Sequence, residues 1–113
     1  MTEAQLQQEI TTWFNNNYCL KTNNPRNIIF SVANESTYQN KNFKNTGTLS
    51  GVSDLIVVLY GKTIFVELKT EKGIQSDKQK DFEKRVKENN QEYYLVRSLK
   101  EFKNIFDLIC IQH

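Results

Sequence analysis

The chain has 113 residues, 15 of them basic and 13 acidic, for a net charge of +2, which is compatible with a nucleic-acid partner without arguing for one. With 38% hydrophobic and 12% aromatic residues, residues 1–113 can form one domain with a core that needs no metal or disulfide staple. One proline and four glycines exclude collagen-like and most low-complexity classes, and no apolar run approaches the ~20 residues of a membrane span.

The N-terminus, MTEAQLQQEI, lacks the basic and apolar regions of a signal peptide, so a soluble, cytoplasmic protein is expected. Thr2 suits a helix N-cap, and Leu6, Ile10, Trp13 and Phe14 follow on one helical face. At 100° per residue Glu9 falls beside Leu6 and Trp13, at the edge of that stripe. The helix is expected to end near the asparagines at 15–17. A loop around Pro25 then leads to a strand over Ile28–Ala33. Residues 34–50 are polar, Asn-rich and without periodicity, a length of loop that is usually functional or mobile. They carry Lys41 and Lys44 with Tyr38 and Phe43 nearby, which suits either a nucleic-acid-facing loop or a disordered or extended connector.

Residues 53–60 (SDLIVVLY) and 63–70 (TIFVELKT) are β-rich runs joined by Gly61-Lys62, which suits a two-residue type II′ hairpin. Ser76 and Gln79 stand at capping-box spacing and open a helix whose Phe82 and Val86 face inward. A strand over Glu92–Arg97 leads to Ser98-x-x-Glu101, a second capping box, and a last helix with Phe102, Ile105, Phe106 and Ile109 on its core face. The expected order is α-β-β-β-α-β-α. The charge is uneven: residues 1–40 carry a net −1 and the remainder +3. Cys19 and Cys110 each sit within an apolar stretch, where a reduced thiol acts as a small hydrophobe. The single histidine is His113, so a histidine triad or zinc site is not expected; the chemistry falls to carboxylates, lysine or a thiol.

If Gly61-Lys62 is the turn, Tyr60 pairs with Thr63, Ile56 lies opposite Glu67, and Asp54 lies opposite Lys69. Strand alternation then puts Asp54, Glu67 and Lys69 on one face, with the two carboxylates diagonal neighbours ~7–8 Å apart at Cα. Two carboxylates so placed can converge on one hard cation and leave positions for water and substrate. The carbonyl of Leu68, whose side chain points the other way, is available as a further ligand. Lys69 beside that cation can position or deprotonate a water, or stabilise a pentacovalent phosphate. An ordinary lysine pKa of ~10.4 is poorly tuned for a base, so the identity of the base stays open between Lys69 and a water on the metal. The alternative is a cross-strand ion pair with no chemistry. Against it, aspartate is depleted in strands, and Asp54 heads an apolar run.

These residues resemble the PD-(D/E)XK nuclease pattern, with Asp54, a strand, and then Glu67-Leu68-Lys69. The surroundings are closer to the VRR-NUC branch: Ala33-Asn34-Glu35, Lys44-x-x-Gly47, Gly51-Val52-Ser53-Asp54, and Gly73-x-x-Ser76-x-x-Gln79. The resemblance runs over roughly residues 3–108 and departs at Ser53, where the pattern usually has proline. It implies a restriction-endonuclease-like α/β core, a central mixed sheet flanked by helices. Asp54, Glu67 and the Leu68 carbonyl would bind Mg²⁺ or Mn²⁺, and Lys69 would be the catalytic lysine. Glu9 would be the first-helix acid that approaches the site, unless it is only a solvated flank residue. Gln79 would support the site from its helix, alongside its capping role.

Short stand-alone members of that branch come from phages and bacteria, with a precedent of homodimers cutting branched DNA. The resemblance thus implies a metal-dependent DNA endonuclease, structure-selective on branched DNA such as Holliday junctions. It would act as a homodimer in the cytoplasm of a bacterial host or phage-infected cell. At 113 residues a separate sequence-reading module is not expected. The competing expectation is a catalytically silent nucleic-acid-binding module with a nuclease-like fold; a small interaction domain is the third.

Overall fold

The computed structural model describes residues 1–20, 27–32 and 49–111. Its elements are α1 (Glu3–Phe14), β1 (Ile28–Ser31), β2 (Leu55–Leu59), β3 (Lys62–Leu68), α2 (Asp77–Glu88), β4 (Glu92–Val96) and α3 (Leu99–Ile111), the order the sequence predicts. Among the described residues no helix is long and apolar enough to cross a membrane.

The strands form one sheet in the order β1-β2-β3-β4. β1–β2 and β2–β3 are antiparallel, whereas β3–β4 is parallel and needs the crossover that α2 supplies. On one sheet face Leu55, Val57, Leu59, Ile64, Val66 and Leu68 are buried in a cluster with Leu6, Ile10 and Phe14 of α1 and Phe102, Phe106 and Ile109 of α3. Trp13 and Ile105 pack against this core partly buried, so the predicted apolar faces of both helices are the ones used. On the other face Phe82 and Val86 of α2 cluster with Tyr93, and Phe65 packs edge-on against Phe82 at 5.4 Å.

Both helix starts follow the predicted cap chemistry, Thr2 with Gln5 and Ser76 with Gln79 forming reciprocal capping boxes. At α3, Glu101 N–H donates to the Ser98 hydroxyl as expected, but the Glu101 carboxylate reaches back to Arg97 N–H. The asparagine cluster does not stop the first helix. It widens it into a π-helical turn over Asn15–Cys19, in which Leu20 N–H donates to the Asn15 carbonyl at 2.9 Å. Asn17 Nδ2 donates to the Trp13 carbonyl, and Cys19 is carried into the core. The side chain of Cys110 lies outside those described.

The hairpin register differs from the expected one. Leu59 pairs with Lys62 and Leu55 with Val66, so the turn residues are Tyr60 and Gly61. Both have positive φ, 50° and 81°, as a type I′ turn requires, and that turn matches the twist of the flanking strands. Tyr60 tolerates the left-handed conformation because its ring packs against the main core and its N–H is within reach of Asn27 Oδ1 at 3.4 Å. The register moves by two residues, so each side chain keeps its face but changes its opposite number.

Candidate active site

Asp54 stands one residue before β2, and one step beyond the Leu55–Val66 pair lies Glu67. The two carboxylates are therefore direct cross-strand neighbours rather than diagonal ones, and Lys69 is not opposite Asp54. Direct neighbours have Cβ atoms about 4.5–5.5 Å apart, close enough that the Asp54 and Glu67 carboxyls hydrogen-bond each other. Asp54 Oδ2 is also fixed by the Leu68 N–H at 2.7 Å. In an extended strand a residue's N–H and C=O point to the same side, so the Leu68 carbonyl lies on Asp54's side.

Glu67 is 1% exposed, which is unusual for a carboxylate. Its pKa is pushed up to about 9, first by burial, then by the hydrogen bond and the negative charge of Asp54; Lys69 and the Tyr93 hydroxyl oppose the shift. Near neutral pH Glu67 therefore holds its proton when no metal is bound.

Lys69 follows β3, its N–H donating to the Val96 carbonyl at 3.1 Å. It lies two residues from Glu67 and so on the same face, where its charge is felt by that carboxylate. Among the described residues its ammonium makes no salt bridge. The stem of Lys69 runs over Gly73: a Cβ there would meet Lys69 Cδ at 3.2 Å. The turn after Lys69 is stapled by Arg97, whose Nη1 donates to the carbonyls of Thr70, Glu71 and Gly73 at 2.8, 3.3 and 2.8 Å.

On the other side of the site the approach to Asp54 is fixed by Gly51, with φ +78°. A Cβ there would sit 2.3 Å from the Lys78 carbonyl oxygen in the first turn of α2. Only glycine allows that loop to lie against the helix backbone. Ser53 is buried and donates its hydroxyl to the Leu55 carbonyl at 3.2 Å, which shapes the entry to β2.

The other predicted site residues stand apart. Gln79 uses its side-chain oxygen to accept from Ser76 N–H, and it makes no hydrogen bond to Asp54, Glu67 or Lys69. Glu9 is half-buried on α1 and lines a surface hollow with Gln5, Trp13 and Leu99. Among the described residues no third His, Cys, Asp or Glu joins Asp54 and Glu67, so Glu9 is not brought to them. Lys41 and Lys44 lie outside the described residues.

The donor set fits a hard divalent cation. Two adjacent carboxylates, one buried and holding a proton where a cation would neutralise the pair, suit Mg²⁺ or Mn²⁺. Mg²⁺ is commonly held by one or two carboxylates, with waters and substrate phosphates completing its shell. Sequence reasoning missed Tyr93, Gln75 and Arg97. Tyr93 donates to Glu67 Oε2, and Gln75 donates to Tyr93, contacts between residues far apart in the chain that no local spacing reveals.

No family model and no curated protein matches this sequence. Solved structures are similar to it, two of them as follows. One, described as a VRR_NUC domain, is 20% identical with a TM-score of 0.66, covering 93% of this chain and 94% of the other. The second, a VRR_NUC domain protein, is 16% identical with a TM-score of 0.74, covering 96% of this chain and 87% of the other. The mixed sheet with flanking helices, shared over more than nine-tenths of the chain, is the fold of VRR_NUC domains.

Proposed function

We propose that the chain is a Mg²⁺- or Mn²⁺-dependent DNA endonuclease that hydrolyses phosphodiester bonds, selective for branched DNA such as four-way junctions and acting as a homodimer. The observation that carries the hydrolytic reading is the Asp54–Glu67 pair, its Glu67 buried, with Lys69 on the same sheet face. Asp54, Glu67 and the Leu68 carbonyl would hold the cation. The cation would supply Lewis-acid stabilisation of the phosphate charge.

The chain's own groups divide the remaining work. Leu68 N–H fixes one Asp54 oxygen, so that carboxylate enters the reaction already oriented. Lys69 brings to the same face an ammonium that makes no salt bridge among the described residues, where it stabilises negative charge developing on the phosphate oxygens. The staple that Arg97 makes to the 70–73 turn limits the freedom of the Lys69 backbone. Selectivity for branches and pairing of two subunits are supported by the resemblance to short VRR-NUC proteins, in which paired subunits make paired cuts.

The test is cleavage of labelled four-way junction, flap and linear duplex by the wild-type chain and Lys69→Ala, with Mg²⁺, Mn²⁺ or EDTA. Metal-dependent cutting by the wild type alone, strongest on the junction, is expected. Tight DNA binding without cutting of any substrate would instead identify a silent binding module. Analytical ultracentrifugation that finds only monomer, with and without junction DNA, would remove the paired-subunit part.

A further inference from the structure

A chain of hydrogen bonds runs from the surface of α2 to Glu67, and the proposed reaction gives its members beyond Glu67 no role. Lys87 pairs with Glu83 at 2.7 Å, and Gln75 Nε2 donates to Glu83 Oε1 at 3.0 Å. The same amide donates to the Tyr93 hydroxyl oxygen at 3.1 Å, and that hydroxyl donates to Glu67 Oε2 at 3.4 Å. We propose that Tyr93 and Gln75 are positioning residues for the candidate metal site. Gln75 sets the direction of the Tyr93 hydroxyl, and Tyr93 holds one oxygen of Glu67, leaving the rest of that carboxylate to Asp54 and the cation. The proposal rests on the metal-site reading of Asp54 and Glu67.

The direction of the chain follows from the donors available. A glutamine amide has two N–H groups, and Gln75 commits one to Glu83 and one to Tyr93. Turning that amide over would set its oxygen against the Glu83 carboxylate, which the Lys87 ammonium holds in place. A tyrosine has one O–H; because its oxygen accepts from Gln75, its proton is left for Glu67. The Tyr93 ring is 6% exposed and packs against Phe82 at 6.3 Å between centroids, so the hydroxyl cannot swing away. The 3.4 Å contact to Glu67 is long for an O–H···O bond and has room to tighten once the carboxylate is ligated. Groups of this kind, one bond behind a ligating carboxylate, typically change metal affinity by about 10–100-fold when removed.

The experiment is calorimetric Mn²⁺ titration of the full chain, with thermal midpoints measured alongside. Tyr93→Phe, which keeps the ring and removes the hydroxyl, is expected to weaken Mn²⁺ binding about tenfold. Gln75→Leu leaves Tyr93 in place and should weaken it in the same direction but less. Because Gln75 acts through Tyr93, the double variant should bind no more weakly than Tyr93→Phe alone. Unchanged affinity in Tyr93→Phe, or additive losses in the double variant, would overturn the proposal. Should Tyr93→Phe fail to fold, Gln75→Leu, at a half-exposed loop position, gives the answer, and wild-type affinity in it overturns the relay. If Asp54→Ala binds Mn²⁺ as the wild type does, the metal-site reading itself fails, an outcome distinct from failure of the relay alone.

Discussion

The two faces of the sheet are built on different principles. The face toward α1 and α3 is lined by aliphatic and aromatic side chains, with Leu55, Val57, Leu59, Ile64 and Val66 fully buried against Ile10, Phe14, Phe102 and Phe106. The face toward α2 has a much smaller apolar cluster, and beside it a buried acid and a line of hydrogen bonds reaching the surface. Burying a carboxylate is costly unless it is neutralised or paired. The α2 face can hold Glu67 in that state because the opposite face supplies most of the apolar burial. Stability and chemistry are thus separated by the thickness of one sheet, and the separation can be broken experimentally from either side.

The largest effect is expected from the apolar face. Phe106→Ala should cost about 3–5 kcal/mol, read as a lower urea midpoint with an unchanged slope. Lys69→Ala should do the reverse, lowering cleavage about 10²–10³-fold while leaving the urea midpoint and DNA affinity near wild type. If Lys69→Ala lost binding and cleavage together, Lys69 would be a DNA contact rather than a transition-state group. Gly51→Ala should sharpen the comparison, because Gly51 joins the site to α2 without entering either core. A methyl at that φ and 2.3 Å from the Lys78 carbonyl must push the loop off the helix. A loss of about 1–3 kcal/mol is expected, and Mn²⁺ affinity should fall with it because Asp54 rides on the displaced segment.

What the sequence revealed divides in the same way. The apolar face was legible because its information is periodic: Leu6, Ile10, Phe14 and Phe102, Ile105, Phe106, Ile109 announce their helices and their inward sides without outside help. The sequence puts Asp54, Glu67 and Lys69 on one face even with the turn at Gly61-Lys62, because a two-residue change of register preserves side-chain facing. The turn itself was not legible. Gly61 suits type II′ at the first central position and type I′ at the second, and what selects between them is the packing of Tyr60 against a core distant in sequence. The asparagines at 15–17 look like a helix stop, yet continuing the chain as a π-helical turn places Cys19 in the core. Gln75 and Tyr93 were invisible for a different reason: their bonds join residues 18 and 26 positions apart, and neither carries a local pattern.

A further effect lies in the pH dependence of the metal-free protein, and its sign follows from Glu67. The folded state holds the Glu67 proton up to about pH 9, against an ordinary value of 4.5. Folding is therefore favoured by this group below the ordinary value, and the contribution is lost as pH rises toward 9. Glu67→Gln removes the titration while keeping the shape of the protonated acid, with an N–H for Asp54 and an oxygen for the Tyr93 hydroxyl. With EDTA present, the wild-type thermal midpoint should fall relative to that of Glu67→Gln between about pH 6 and pH 9. The difference between the two curves isolates Glu67 from every other titrating group. A constant difference across that range would mean that Glu67 does not hold its proton in the folded state. The α2 face would then hold Glu67 as a buried charge rather than as an acid whose proton a cation displaces.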